Sequence, residues 1–333
     1  MNSVMSSEVK PRLRGTDINK KLKMKINARR PQIASNVAPL NPWYIAGFTD
    51  GEGSWGVTIS KNLRETGYTV LPKFTIGLHA CDIALLERIA AQFGVGGIYV
   101  GSNNLVRWQV SSVRDLVNVI IPFFEKYPLV SQKRADFELF KQIVELINNK
   151  EHLTPAGLQK IVNLKASLNL GNSGELKALF PNTIPVARPL VKFTGIPNPH
   201  WLSGFTDADG CFYVSTYASP KSKLGMAVQL VFVVTQHVRD QKLLEGLIDY
   251  IGCGRYSKRK EAGDFKVLSI ADINKKIIPF FSEYQLQGVK SHNLADFRSV
   301  ARFQIMEAKG HLTTEGLEQI QAIKMGMNKG RVS

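Results

Sequence analysis

Asn41-Pro42-Trp43-Tyr44-Ile45-Ala46-Gly47-Phe48-Thr49-Asp50-Gly51-Glu52-Gly53 returns as Asn198-Pro199-His200-Trp201-Leu202-Ser203-Gly204-Phe205-Thr206-Asp207-Ala208-Asp209-Gly210. The two strings stand 157 residues apart, and the spacing persists beyond them. Phe74, His79, Asp82 and Leu85-Leu86 recur as Phe232, His237, Asp240 and Leu243-Leu244 at an offset of 158. Gly94-Val95-Gly96 recurs as Gly252-Cys253-Gly254 at the same offset. Ile120–Phe124 and Lys133 return as Ile277–Phe281 and Lys290 at 157, and His152-Leu153-Thr154 as His311-Leu312-Thr313 at 159. An offset this steady marks one structural unit written twice. It divides the chain into a tail (1–40), a first repeat (41–170), a linker rich in Gly, Asn, Ser and Pro (171–197) and a second repeat (198–333).

Both repeats read alike. Asn41 and Asn198 are N-cap residues, each followed by proline at the first helical position, and the helices stop at Gly53 and Gly210. Trp55, Val57 and Ile59 then alternate with Gly56, Thr58 and Ser60, which is strand period. Phe74, Ile76 and Leu78 alternate in the same way. A helix opens at Asp82, turns Leu86, Ile89, Ala90 and Phe93 to one side, and ends at Gly94. Two further short strands, a helix around Ile120–Phe124 and trailing helices complete an α-β-β-α-β-β-α unit. The fold class is α+β, an antiparallel sheet covered by helices on one face, built twice.

Composition narrows the function. The chain has 333 residues, 43 Lys and Arg against 27 Asp and Glu, and a net charge of +16. With 44% hydrophobic and 21% charged residues it is no mostly disordered chain. No apolar run reaches the length of a membrane-spanning helix, so a membrane partner is not expected. Cys81, Cys211 and Cys253 lie far apart, which excludes a disulfide framework and a structural zinc site. The excess positive charge points to a polyanion, nucleic acid first. Residues 1–40 carry nine basic and two acidic side chains, or +7, and are expected to be disordered, with a transit peptide as an alternative.

Ala46-Gly47 and Ser203-Gly204 put small residues where a core helix would carry bulk. Such faces let two helices approach closely, and the natural partner of each is its own repeat. Glu52 and Asp209 then meet at the C-terminal ends. At ~6 Å and an effective dielectric of 20 they repel by roughly 3 kcal/mol, and the helix dipole disfavours both. A compensating hard cation is expected, Mg²⁺ by the chemistry of oxygen donors, with the carbonyls of Gly51 and Ala208 as further ligands. The Asp-Ala-Asp-Gly string at 207–210 lacks the distal ligands of an EF-hand. Asp50 and Asp207 are expected to make structural hydrogen bonds. Lys133 and Lys290 each follow their motif acid by 81 residues, which makes them a matched pair of pocket cations.

Ile45–Gly53 and Leu202–Gly210 resemble the two motif copies of single-chain LAGLIDADG homing endonucleases, closest to the fungal organellar, intron-encoded type. The resemblance covers 41–333 and implies a pseudo-symmetric DNA-binding saddle. It also implies cleavage of both strands of a long, non-palindromic double-stranded DNA site with divalent metal: Mg²⁺, with Ca²⁺ or Mn²⁺ able to substitute. It makes Glu52 and Asp209 metal-binding acids and Lys133 and Lys290 catalytic-pocket cations. Gln229 resembles a pocket glutamine of some members; its counterpart Leu71 cannot act so. Thr49 and Glu52 depart from the family string, and glutamate is a known variant there. A mitochondrial location and action as a monomer also follow from the resemblance. The alternative is an intron-RNA maturase that binds without cutting. Retention of both acids and both lysines favours cleavage, and the unlike acids predict unequal rates on the two strands.

A β-ribbon fits the major groove of B-DNA. A strand of ~9 residues spans ~30 Å, so two repeats end to end cover on the order of 20 base pairs. The strand faces opposite the apolar sets are the expected DNA contacts. These are Thr58, Ser60, Asn62, Arg64, Lys73, Thr75, Arg107, Gln109 and Ser111 in the first repeat. In the second they are Tyr213, Ser215, Tyr217, Lys221, Lys223, Gln229, Thr235, Arg255, Ser257, Arg259 and Lys266. Unlike side chains at matching positions argue against a true palindrome.

Overall fold

The structure, a computed structural model, describes residues 38–62, 67–305, 312–328 and 331. The basic tail as far as residue 37, Arg64 and His311 lie outside them. The first repeat runs α1 (Pro42–Glu52), β1 (Gly53–Lys61), β2 (Tyr68–His79), α2 (Ile83–Phe93), β3 (Gly97–Val100), β4 (Leu105–Val110), α3 (Val113–Asp115), α4 (Ile121–Lys126), α5 (Lys133–Asn148) and α6 (Pro155–Ala166). A short helix, α7 (Gly174–Leu179), stands within the expected linker. The second repeat follows the same plan: α8 (Pro199–Asp209), β5 (Gly210–Ala218), β6 (Met226–His237), α9 (Gln241–Ile251), β7 (Arg255–Lys258), β8 (Ala262–Val267), α10 (Ile270–Asp272), α11 (Ile278–Glu283), α12 (Lys290–Ile305) and α13 (Thr314–Met325).

The local signals act as their chemistry dictates. Asn41 Oδ1 accepts from the Trp43 N–H at 2.9 Å, and Asn198 Oδ1 from the His200 N–H at 2.9 Å. Gly94 and Gly252 end α2 and α9 in the left-handed conformation, at φ 66° and 74°. The helix expected around Ile120–Phe124 is entered through a π-helical turn, Leu116–Ile120, which recurs at Ile273–Ile277. Each wider turn precedes an Ile-Pro pair, where proline has no N–H to give to the regular ladder.

Each repeat holds a four-stranded antiparallel sheet, ordered β1-β2-β4-β3 and β5-β6-β8-β7. One face of each is apolar. Trp55, Phe74, Ile76 and Trp108 are fully buried there in the first sheet, and Phe212, Phe232, Val234 and Phe265 in the second. Trp55 stacks on Phe74 with ring centroids 4.3 Å apart, and Phe212 on Phe232 at 4.8 Å. Burying side chains of this size contributes about 2 kcal/mol each, which fixes the register of the strands and leaves their other faces outward. Residues after α6 are tied to this body: Arg188 donates two hydrogen bonds of 2.7 Å to the buried Asp136 carboxylate.

The repeats join where α1 meets α8. A methyl group on Gly47 would lie 1.9 Å from the Trp201 carbonyl oxygen, and one on Gly204 2.0 Å from that of Tyr44. Only glycine permits that approach at either position. Hydrogen bonds cross the seam in matched pairs. Tyr44 Oη donates to Asp207 at 2.6 Å, and Trp201 Nε1 to Asp50 at 2.8 Å. Asp82 accepts from the Val289 N–H at 2.8 Å, and Asp240 from the Gln132 N–H at 2.7 Å. Asp50 also accepts from the N–H groups of Val130 and Ser131, and Asp207 from those of Gln287 and Gly288. Both acids therefore have the structural role their position implied.

Candidate active site

Glycine after each motif acid turns the chain from helix into strand, at ψ 148° for Gly53 and 157° for Gly210. Glu52 and Asp209 are thus the last helical residues, delivered to the end of the seam. The ends are in contact. A methyl group on Gly51 would lie 2.2 Å from the Ala208 Cβ and 2.9 Å from Asp209 Oδ2. Burial raises the pKa of both acids; for Glu52 the neighbouring charge of Asp209 raises it further. Lys133 and Lys290 oppose this shift in both.

The lysines lie close by. Lys290 Nζ donates to the carbonyls of Ala208 at 2.9 Å and Thr206 at 3.1 Å. Lys133 Nζ donates to Gly51 and Thr49 in the same manner. Each ammonium therefore meets carbonyls of the last turn at a helix C-terminus, where positive charge is favoured. Burial lowers both lysine pKa values, and the surrounding carboxylates, Asp50 first for Lys133 and Asp207 first for Lys290, work against it. The carbonyls of Gly51 and Ala208, expected as metal ligands, carry these lysines here.

Gln229 is not in the pocket. It lies on β6 opposite Ser215, seven residues from the strand position beside Asp209 and on the outward face. Seven residues along a strand is ~23 Å. Gln236 occupies that place, and its amide donates to Asp209 Oδ2. Its counterpart in the first repeat is Leu78, an apolar core residue. The sequence carried a signal for it: Leu230, Phe232 and Val234 alternate inward, and the next inward residue is polar.

An open cavity of about 760 Å³ extends from Asp209, bounded by Lys133, Gln236, Arg239, Asp240 and Arg259 among others. Among the described residues, no group of three or more His, Cys, Asp and Glu side chains gathers as a metal cage. Two adjoining carboxylates suit a hard divalent cation that completes its shell with water and substrate oxygens, the manner typical of Mg²⁺. The donor set fits such an ion as part of a complex with phosphate.

The outward sheet faces are largely polar, with Leu71 and Leu105 in the first and Val231 and Val233 in the second as apolar members. Thr58, Ser60, Lys73, Thr75, Arg107 and Gln109 share the outer face of the first sheet, where Thr75 is in register with Ser54 and Gln109. Ser111 follows β4, and Asn62, just past β1, donates to Thr69. Ser54 and Tyr99 share this face and escaped the strand reading. In the second sheet Tyr213, Ser215, Tyr217, Gln229, Thr235, Arg255, Ser257 and Lys266 share the outer face. Lys221 and Lys223 lie in the β5–β6 loop, and Arg259 follows β7.

Two antiparallel sheets with largely polar outer faces, joined at a glycine seam that ends in paired acids, define a two-repeat scaffold for handling a long polyanion. The LAGLIDADG endonuclease profile matches residues 45–144 and 202–301, one match in each repeat. The chain belongs to the LAGLIDADG endonuclease family. It is 39% identical over 290 residues to "Probable intron-encoded endonuclease 3" of Neurospora crassa, covering 85% of this chain and 54% of that protein. The chain thus spans about half the length of that relative. The I-SmaMI LAGLIDADG homing endonuclease bound to cleaved DNA superposes with a TM-score of 0.85 and 44% identity, covering 89% of this chain and 99% of that one. The I-LtrWI LAGLIDADG homing endonuclease bound to target DNA gives 0.84 and 48%, covering 87% and 98%.

Proposed function

We propose that this chain is a homing endonuclease that hydrolyses one phosphodiester bond in each strand of a long, non-palindromic DNA duplex. The observation that carries the reading is the pair Glu52 and Asp209, the last residues of two helices that touch at the end of the seam, with a lysine bound to each helix end. The two outer sheet faces would lie in the major groove on either side of the cleavage point. The DNA complexes of the similar solved structures support that placement. Glu52 and Asp209 would hold Mg²⁺; a similar structure, I-SmaMI with its uncleaved target, was obtained in the presence of calcium ions. A bound divalent ion supplies Lewis-acid stabilisation of the phosphate and a water of lowered pKa.

The protein's own groups do the rest. Two partly buried acids on touching helix ends need a cation to offset their charge. Lys133 and Lys290 hold positive charge beside the phosphate and neutralise the helix ends. Gln236 orients Asp209 through its amide. The seam fixes the distance between the two halves, so two cuts fall at a set spacing. Action as a monomer follows from two half-sites on one chain. Relatives named as fungal intron proteins, including one from a cox1 intron of Schizosaccharomyces pombe, support a mitochondrial origin.

The test is incubation with plasmids carrying intronless exon junctions of the host genome, with Mg²⁺ or with chelator. Linear product should form with Mg²⁺ alone. Glu52→Gln should lose cutting by at least a hundredfold while a gel-shift assay shows retained binding. Cutting in chelator, or cutting by Glu52→Gln at the wild-type rate, would overturn the reading.

A further inference from the structure

Among the described residues, the eight strands contain one acidic side chain, Asp264 on β8. It points to the outer face of the second sheet, in register with Thr235 on β6 and Ser257 on β7. Its side chain is 1% exposed. Three of the residues that face DNA in the proposed function converge on it. Thr235 Oγ1 donates to Oδ1 at 2.7 Å, the Arg259 guanidinium donates to the same oxygen, and Lys266 Nζ stands 2.9 Å from Oδ2. The first sheet has nothing similar: the equivalent row is Gly77, Arg107 and Tyr99, with the arginine where the acid stands in the second.

We propose that Asp264 is a positioning residue for DNA reading, which holds Arg259 and Lys266 in fixed orientations above the second sheet so that this half discriminates base pairs next to the cleavage cavity. The inference rests on the endonuclease reading. The carboxylate lies beneath the two cations rather than beside them: Arg259 is 57% and Lys266 29% exposed, against 1% for the acid, and each cation has donors beyond the one given to it. Arg259 also borders the Asp209 cavity, which sets the affected base pairs near the centre of the site. Burial alone would raise the Asp264 pKa, but the hydrogen bonds from Thr235, Lys266 and Arg259 hold it below the ordinary carboxylate range, so the anchor stays charged.

Two physical consequences follow. Long basic side chains lose rotamer freedom when they bind a base, and cations ordered in advance have less to lose. A carboxylate among them also cancels charge that would attract any phosphate backbone. Both effects favour the right sequence over tight binding to every sequence. An acid placed only to complete the fold would yield neither.

The test compares wild type with Asp264→Asn, which keeps the shape and removes the charge, by selection from a randomised duplex library and sequencing of the bound pool. The variant should lose sequence preference, roughly tenfold in discrimination, over two to four adjoining base pairs of one half-site. The other half-site should be unchanged. On a scrambled duplex its affinity should rise, and the log–log salt slope should steepen by up to about 2 as two cations are freed for phosphate. Asp264→Asn added to Arg259→Ala should cost nothing further at the base pair Arg259 reads. An unchanged selection profile would overturn the inference alone. A loss spread evenly over both half-sites, with weaker binding to the scrambled duplex, would also overturn it, since that is what loosened folding produces. A wild type that selects no sequence would overturn the endonuclease reading and this inference with it.

Discussion

Gly47→Ala tests whether the seam sets the chemistry. The new Cβ would stand 1.9 Å from the Trp201 carbonyl oxygen and 3.0 Å from the Phe205 nitrogen. Carbon–oxygen contacts of this kind close to ~3.3 Å, so the helices must part locally by about 1.4 Å. Backbone blocks the way on the far side, and no rotamer can relieve it. Overpacking of this sort costs about 3 kcal/mol at the upper end of its usual range, which lowers the melting temperature on the order of 4 °C in a chain of this size. The larger effect falls on cleavage. Glu52 and Asp209 ride on the two helices that separate, and a misplacement of ~1 Å costs about a hundredfold in rate. Thermal melts and plasmid linearisation rates measure the two effects. Gly174→Ala, at the start of α7 with nothing within 4 Å of the new methyl, is the control and should leave both unchanged. A Gly47→Ala protein that melts and cuts like wild type would refute the argument that close approach of α1 and α8 brings the acids together.

Gln236→Leu copies the Leu78 side of the pocket onto the Asp209 side. Losing a hydrogen bond to a charged group costs roughly 2 kcal/mol, so one strand should be cut about thirtyfold more slowly and nicked circles should accumulate; equal slowing of both strands would contradict this. Asp240 gives a pH test. Burial raises its pKa above the ordinary carboxylate range despite the Gln132 N–H, so the folded state binds its proton more tightly than the unfolded chain does. Stability from this group is therefore present below the unfolded value and lost as pH rises through the folded one. Asp240→Asn keeps an acceptor for Gln132 and cannot titrate, so its melting temperature should gain on wild type from pH 4 to pH 7; a constant gap would show that Asp240 is not buried as a strained carboxylate.

The repeat was legible because it is a pattern of residue types at a fixed offset, and such patterns survive in one dimension. The helix caps at Asn41 and Asn198, the glycine stops and the inward alternation of each sheet are local, and they folded as read. The pairings across the seam were not local. Nothing near Asp50 in the chain announces Trp201, 151 residues away, as its donor. Asn169 and Asn328, both at positive φ, pin their segments to the first strand of each repeat through the carbonyls of Trp55 and Phe212. Their asparagines gave no sign of this in the sequence. Gln229 was expected in the pocket from its resemblance to a family glutamine, while Gln236 lay on the inward face that alternation had already marked. Face outweighs residue type when a pocket opens at the end of a strand.

The duplication also explains why the two halves differ where they do. Gly47 meets the Trp201 backbone and Gly204 that of Tyr44 at nearly equal distances, so a change at either opens the same seam and neither has freedom to drift. Asp50 and Asp207 each bind two backbone N–H groups and an aromatic donor from the other repeat, and are constrained alike. On the pocket walls and the outward strands the reciprocity lapses. Glu52 faces Asp209, Leu78 answers Gln236, Leu71 answers Gln229, and Arg107 answers Asp264. Two identical subunits would have to place one residue at both members of each pair. A single chain can hold the axis fixed with its glycines and carboxylates while each outer face acquires its own chemistry. Asymmetry confined to the pocket walls and the outward strands is what reading an asymmetric duplex requires of a symmetric frame.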